Sequence, residues 1–427
     1  MIKKIIVIIT LFVSVASFAQ KNNASAYSFF GIGDKNNANT VEQVSMGGIG
    51  VSLQDQFRLN LSNPASFSSL QFTTYTLAIE NKNIWAKDSQ DKQQGASTYL
   101  SYLAIGVPLG KNAGMSFGLL PNTTVGYSLV ENNYDSSDEL TEVSLYNGEG
   151  GTNKVFLGFG LQIFKGFSVG LQGNYVFGKI ENNITNQLKD ISLATKYETL
   201  SRVKGFGINT GFQYKAKLSE KLNLHLGANF ELENEIDTDD EEYIYSSSIA
   251  LGEIPRDTLL SNTGTGVIKS PLKTSLGIGI GQDNKWFAGI DYSYQDALDI
   301  DANIYNNASK VAYDDYSKIS IGGFYTPKFS SITSYWERVT YRAGVKFEKS
   351  GLMVNSSGNT NDFTAIDDFG ISFGVGLPVS NQLSNLNVGF EFGKRGEIDK
   401  GLVQENYINF RLSFSLNDKW FKKREIF

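Results

Sequence analysis

The stretch VTYRAGVKFE, residues 339–348, decides the fold class. Apolar residues alternate strictly in it with polar residues or glycine. Successive side chains of a β-strand point to opposite faces, so the stretch predicts a strand with one apolar and one polar face. The same pattern recurs, with few interruptions, in 155–163, 222–231 and 408–416. The chain is therefore predicted to be all-β.

The number and length of these strands favour a membrane barrel. Strands of soluble proteins average ~5–6 residues, whereas strands that cross a bilayer need ~9–11. The alternating stretches match the longer class, which favours an apolar face in lipid over the core of a soluble β-sandwich. We predict a 14-stranded antiparallel transmembrane β-barrel with strands at 70–80, 95–107, 113–129, 152–164, 167–180, 202–217, 221–233, 272–282, 285–297, 313–326, 338–348, 367–377, 386–394 and 405–416.

The composition excludes several classes of function. The 427 residues include no cysteine and one histidine, which argues against disulfides, thiolate or multi-histidine metal sites and a cysteine nucleophile. Acidic residues outnumber basic ones, 44 to 38, so the chain is a poor nucleic-acid binder. We therefore predict no catalytic residue, no metal and no cofactor, and interpret His225 as a structural residue.

The N-terminus has the pattern of a signal peptide. Residues 1–19 combine two lysines, an apolar run and small residues before Gln20, where we expect cleavage. The apolar run is shorter than the ~20 residues that a transmembrane helix needs. Export together with a barrel predicts the outer membrane of a Gram-negative bacterium.

Residues 20–69 precede the first strand and are predicted to form an N-terminal hatch, or plug, inside the lumen. Their apolar content argues against a flexible tail. The domain division is then signal peptide 1–19, hatch 20–69 and barrel 70–427. The hatch residues singled out are Gly47, Gly48 and Gly50 in MGGIGVSL, and Asn63, Pro64 and Ala65 before the first strand.

The run MGGIGVSL, the Asn63-Pro64-Ala65 sequence and the strand pattern resemble the FadL family. That family consists of fourteen-stranded outer-membrane transporters for long-chain fatty acids and other hydrophobic molecules. The resemblance covers the whole mature chain and implies the same fold and a transport function.

Pro121 interrupts the third predicted strand. Proline cannot donate a backbone hydrogen bond. A closed barrel has no free strand edge where a residue without an N–H group would be tolerated. Leu120, Pro121 and Asn122 are therefore predicted to lie at a local break in the wall. In the resembled family a kink in the third strand makes a lateral opening; the alternative is a bulge without a role in transport.

Charged residues on the polar faces offer a second set of candidates. Arg342, Lys346 and Arg411 could attract the carboxylate head of a substrate. The preferred interpretation pairs them instead with acidic residues across the lumen, namely Glu348, Glu391 or Asp291. An acidic patch at 237–242, in the longest predicted loop, could bind Ca²⁺, but it lacks the spacing of an EF-hand and is interpreted as a solvated surface.

The predicted function is diffusion of long-chain fatty acids or other hydrophobic molecules through a plugged barrel and out at the strand-3 break. The alternatives are a non-catalytic barrel subunit of an envelope protein-export or assembly complex, and an open diffusion porin. The expected partners are a hydrophobic small molecule, outer-membrane lipid and, in the subunit reading, other envelope proteins, with no nucleic acid.

Overall fold

A computed structural model describes residues 24–89, 91–248, 254–301, 311–355, 362–379 and 384–419. The predicted signal peptide, 1–19, lies outside the described residues. No helix among the described residues is both long and apolar enough to span a bilayer.

The protein is a closed antiparallel β-barrel whose described residues cross the wall fourteen times. Successive passages through the wall pair with each other, and the last wall strand, Gln404–Asp418, pairs with the first wall strand, Thr73–Lys87, over its whole length, which closes the ring. The predicted fold class is confirmed. The strands are β1 Asp34–Lys35, β2 Thr73–Lys87, β3 Lys92–Pro108, β4 Ala113–Tyr134, β5 Leu140–Phe164, β6 Phe167–Leu188, β7 Ala194–Lys217, β8 Asn223–Glu231, β9 Asn234–Ser248, β10 Ile254–Ser270, β11 Lys273–Gln282, β12 Trp286–Gln295, β13 Asp299–Asp301, β14 Val311–Tyr313, β15 Tyr316–Tyr325, β16 Thr340–Val354, β17 Thr364–Val379, β18 Ser384–Arg395 and β19 Gln404–Asp418.

Four of the fourteen wall passages consist of two consecutive strands separated by a short break. These passages are β8 with β9, β10 with β11, β12 with β13, and β14 with β15. The small strand β1 belongs to the segment before the barrel. Helices are short: α1 is Val41–Val44, and 3₁₀ turns lie at Ala26–Phe29, Pro64–Ser69, Trp336–Arg338 and Asp399–Gly401.

The alternation of the sequence corresponds to the two faces of the wall. In β16, Phe347 is 53% exposed on the outer face, whereas Arg342 is 5% exposed on the inner face. Leu157 and Phe159 in β5 point outward in the same way. Because hydrocarbon rather than water suits such a surface, the apolar exterior is typical of a membrane barrel.

The longest predicted loop is in fact a β-hairpin, so the loop assignment was wrong. β9 and β10 pair with each other through this region, and β9 also pairs with β7. The acidic patch lies on β9, where Asp239 pairs with Lys204 at 2.9 Å and Glu241 pairs with Arg202. Outside lipid neither face needs to be apolar, so the alternation that reveals a strand is missing here. Among the described residues, no group of three or more acidic or histidine side chains is arranged to hold a metal ion.

Candidate functional site

Residues 24–72, here called the N-terminal segment, are held together by side-chain amides. α1 begins after Thr40 with a capping box, in which Gln43 Oε1 accepts from the Thr40 amide at 2.8 Å. Gln43 Nε2 donates to Asn60 Oδ1 at 2.7 Å, and Asn60 Nδ2 donates to the Gly50 carbonyl at 2.7 Å. These bonds join the successive loops of the segment into one folded unit.

The MGGIGVSL run contacts inward-facing groups of distant wall strands. The Gly47 amide donates to Ser372 Oγ on β17 at 2.8 Å. The amides of Gly50 and Val51 both donate to Asp291 Oδ2 on β12, at 2.7 and 2.9 Å. Gly47 and its neighbour Gly48 have φ values of +73° and +90°, in the left-handed region that favours glycine. A side chain at Gly47 would also approach the Val345 carbonyl oxygen to 2.5 Å.

The Asn63-Pro64-Ala65 sequence packs against β7 and β8 of the wall. Asn63 Oδ1 accepts from the Ala65 amide at 3.0 Å, and its Nδ2 donates to the carbonyls of Val51 and Ala228 at 2.8 and 3.1 Å. Ala65 is fully buried. A Cβ added at Gly211 of β7 would lie 2.8 Å from Pro64 Cδ, so this contact requires glycine in the wall.

Inward-facing glycines make room for the segment around most of the ring, and the sequence analysis missed them. A Cβ at any of them would lie within 3.0 Å of an atom of the segment. Their signal in the sequence is glycine on the polar face of an alternating strand. They include Gly114, Gly158, Gly160, Gly170, Gly211, Gly227, Gly277, Gly322, Gly344, Gly374 and Gly389.

The ladder between β3 and β4 is incomplete. Over the described residues it runs from the Pro108–Gly114 pair to the Leu103–Leu119 pair and ends there, although both strands continue. Pro121 lies two residues beyond the last pair. On its other side β4 keeps its pairing with β5, with a register shift between Pro121 and Thr123 that leaves Asn122 as the extra residue. We call the unpaired stretch between β3 and β4 the seam.

The N-terminal segment covers part of the seam by pairing with β4. β1 pairs antiparallel with β4, with Asp34 opposite Thr124 and Lys35 opposite Thr123. The Asn36 amide donates to the Asn122 carbonyl at 2.9 Å. Backbone groups of β4 that lack a partner on β3 therefore find one in the segment.

Ion pairs and a hydrogen bond attach the part of the segment that covers the seam, here called the cover, to the wall. The Asp34 carboxylate contacts Arg395 of β18 at 2.7 Å and Lys82 of β2 at 3.4 Å. The amide of Ala26 donates to Glu405 Oε1 at 2.7 Å. The cover is thus held by charged groups from the side of the ring next to β3.

Two of the three head-group candidates already have carboxylate partners. Lys346 and Arg411 both pair with Glu391, at 2.9 and 2.6 Å, and Arg411 also pairs with Glu80 at 2.7 Å. Buried Arg342 donates to Asn387 at 3.3 Å. Asp291, considered above as a counter-ion, instead accepts from the N-terminal segment.

His225 is buried on the inner face of β8. Its ring contacts Phe287 edge-to-face, with 5.4 Å between ring centroids.

A family model described as BamG matches residues 1–426. The chain belongs to the BamG family. No curated protein matches it.

Solved structures similar to this BamG-family barrel include channels of the FadL type, and the resemblance inferred from the sequence is confirmed at the level of the fold. The toluene transporter TodX of Pseudomonas putida aligns with a TM-score of 0.58 at 14% identity, covering 90% of this chain and 98% of that chain. A FadL homologue of Pseudomonas aeruginosa aligns at 0.57 and 10%, covering 90% and 98%. The monoaromatic hydrocarbon channel CymD aligns at 0.53 and 13%, covering 92% and 100%.

Proposed function

We propose that this protein lies in the outer membrane of a Gram-negative bacterium and lets hydrophobic molecules pass from its bore into the membrane through the seam. Residues 20–69 act as a hatch in this proposal, and displacement of the hatch from β4 opens the path. No bond is made or broken, so transport requires no catalytic group.

The incomplete β3–β4 ladder carries the proposal. Unpaired backbone is costly in hydrocarbon, so a seam in a membrane barrel needs a partner or a function. Here the partner is a separate segment, joined to β4 by a two-residue strand and a few hydrogen bonds. Such a contact can break without unfolding the barrel.

An open cavity of about 600 Å³ adjoins the seam. Leu100, Pro121, Tyr175 and Phe177 form an apolar part of its lining, and Lys179, Lys204 and several threonine and asparagine residues form a polar part. Removing a substrate's methylene groups from water supplies ~0.8 kcal/mol each, which can drive exit into lipid. The similar structures include channels named for toluene and monoaromatic hydrocarbons; long-chain fatty acids are the other candidate substrates.

A disulfide between the hatch and β4 tests the proposal. The chain contains no cysteine, and Lys35 and Thr123 are directly opposed across the β1–β4 pair. In a Lys35→Cys/Thr123→Cys variant, oxidation should reduce uptake of labelled toluene or oleate into proteoliposomes by at least about tenfold. Reduction of the disulfide should restore uptake.

Each single-cysteine variant is the matched control and should be insensitive to oxidant. Full uptake by the oxidised double variant, with the disulfide verified by mass spectrometry, would refute passage through the seam.

A second candidate function is that of a non-catalytic barrel subunit in an envelope protein-export or assembly complex. The small free volume inside the barrel favours this second function. The two cavities beside the N-terminal segment measure about 210 and 180 Å³, below the ~300–1,000 Å³ of ordinary ligand pockets. Their linings are rich in charged groups. Purification from the native membrane discriminates the two, because a stoichiometric complex together with absent uptake by the unmodified protein would favour the subunit.

A further inference from the structure

The smaller of the two cavities beside the N-terminal segment is lined by four lysines. Lys35 comes from β1, and Lys154, Lys273 and Lys318 come from β5, β11 and β15. The cavity of about 180 Å³ lies between the segment and this part of the wall, and we call it the basic chamber.

The carboxylates of the basic chamber do not balance these lysines. Glu231 pairs with Lys273 at 3.2 Å. Asp291 accepts from two backbone amides of the N-terminal segment. Lys35, Lys154 and Lys318 have no ion pair within 4.0 Å among the described residues, and Glu348 is the one further carboxylate that lines the chamber.

Two buried polar groups of the chamber lack a partner. Lys154 is 8% exposed, yet it forms neither an ion pair nor a hydrogen bond with the described residues. Asn229 is 4% exposed, and its Oδ1 has no hydrogen-bond partner. The Lys35 ammonium reaches only Gln295 Oε1, at 3.4 Å. A buried ammonium group without an ion pair is costly, so Lys35 and Lys154 point to a ligand that carries negative charge. Asn229 Oδ1 is an acceptor, and a protonated oxygen of such a ligand could donate to it.

Polar side chains line the chamber beside the lysines and suit the binding of an oxyanion. Asn174, Asn209 and Asn229 add side-chain amides, and Asn174 Nδ2 donates to Asn209 Oδ1 at 3.0 Å. Ammonium groups bind carboxylate and phosphate oxygens as point charges, and amide donors can complete the coordination. The larger cavity adjoins the chamber and shares Lys35, Lys318 and Glu348 with it. The arginines of that cavity and Lys346 are paired with carboxylates.

We propose that the basic chamber binds an oxyanion, a phosphate or carboxylate group, through Lys35, Lys154 and Lys318. This site goes beyond the proposed transport function and does not depend on it. The group can belong to a free small anion or to the head of an amphiphile whose tail extends away from the chamber.

Calorimetric titration of the full-length protein in neutral detergent tests the site and distinguishes the two sources. The probes are inorganic phosphate and octyl phosphate. Equal affinity for the two identifies a free anion, and at least tenfold tighter binding of octyl phosphate identifies an amphiphile head group. Either result supports the site if Lys154→Gln weakens binding by at least tenfold.

Lys217→Gln is the matched control, because Lys217 is exposed at the end of β7 and does not line the chamber. Lys318→Gln is the second variant, in case the first does not fold; folding is checked by resistance of the barrel to SDS at room temperature. Absence of heat with both probes, or unchanged affinity in the lysine variants, overturns the proposal. Because no transport is measured, failure here leaves the seam proposal untouched.

Discussion

The carboxylate of Asp34 accepts a hydrogen bond from Arg395 at 2.7 Å, while the backbone of Asp34 pairs with Thr124. One residue therefore joins the N-terminal segment both to the open edge of β4 and, through its side chain, to β18. Asp34 therefore couples the pairing of the segment with β4 to the attachment of the segment to β18.

Asp34→Asn should loosen the cover. It removes a charge-assisted hydrogen bond and the carboxylate that pairs with the partly buried Arg395, a loss of about 1.5–3 kcal/mol. Hydrogen exchange of the amides in residues 24–36 should accelerate by tenfold or more, while exchange in β16–β19 stays unchanged.

The control for this change is Asp283→Asn, which breaks the exposed pair with Lys215 at 2.7 Å. Surface pairs contribute ~0–1 kcal/mol, so exchange in 24–36 should not change. Equal exchange in the Asp34 variant and the unmodified protein would contradict the role of Asp34.

Pro121→Thr should slow uptake and leave assembly intact. Threonine supplies the amide that proline lacks, which favours extension of the β3–β4 ladder past Leu119. Initial rates of uptake of a labelled hydrophobic substrate provide the measurement. Pro378→Thr is the control, because Pro378 lies in β17 and pairs normally with Asn385 of β18. A rate equal to that of the unmodified protein would remove Pro121 from the transport path.

Gly170→Ala should displace the Asn63-Pro64-Ala65 sequence. The new Cβ would lie 2.7 Å from the Pro64 carbonyl oxygen, and overpacking of this kind costs about 1–3 kcal/mol. Cleavage of the N-terminal segment by a soluble protease should become faster. Gly173 on the same strand has no atom within 4 Å of an added Cβ, so Gly173→Ala should behave like the unmodified protein. Equal cleavage rates for both variants would argue against tight packing at Gly170.

Oxyanion binding in the basic chamber should weaken between pH 7 and 9. Burial in the bore and the nearby Lys273 lower the pKa of Lys35 to about 8, with Glu231 and Glu348 opposing the shift. Lysine is charged below its pKa, so rising pH removes one positive charge from the site. The measurement is affinity for a permanently charged sulfonate across this range. Lys35→Gln should make its pH dependence flatter, and an unaltered profile would exclude Lys35 as the titrating group.

The wall was predictable because its signal is local. In 339–348 the alternation alone identifies both faces of β16, since lipid outside and a polar lumen inside impose opposite demands on successive residues. Alternation did not predict β9 and β10, because both faces of these strands meet polar surroundings. Proline at position 121 also carries a local signal, because a missing amide disrupts a ladder whatever the partner is.

Which groups meet inside the barrel could not be inferred from any stretch of sequence. Nothing near Asp34 indicates Arg395, which lies more than three hundred positions away in the chain. Strand alternation places Lys154 and Lys346 alike on the lumen face, yet Lys346 forms an ion pair with Glu391 while Lys154 lines a cavity and forms no ion pair among the described residues. Strand periodicity specifies the face on which a side chain lies, whereas the register of the closed ring and the path of the N-terminal segment decide which other side chains it meets.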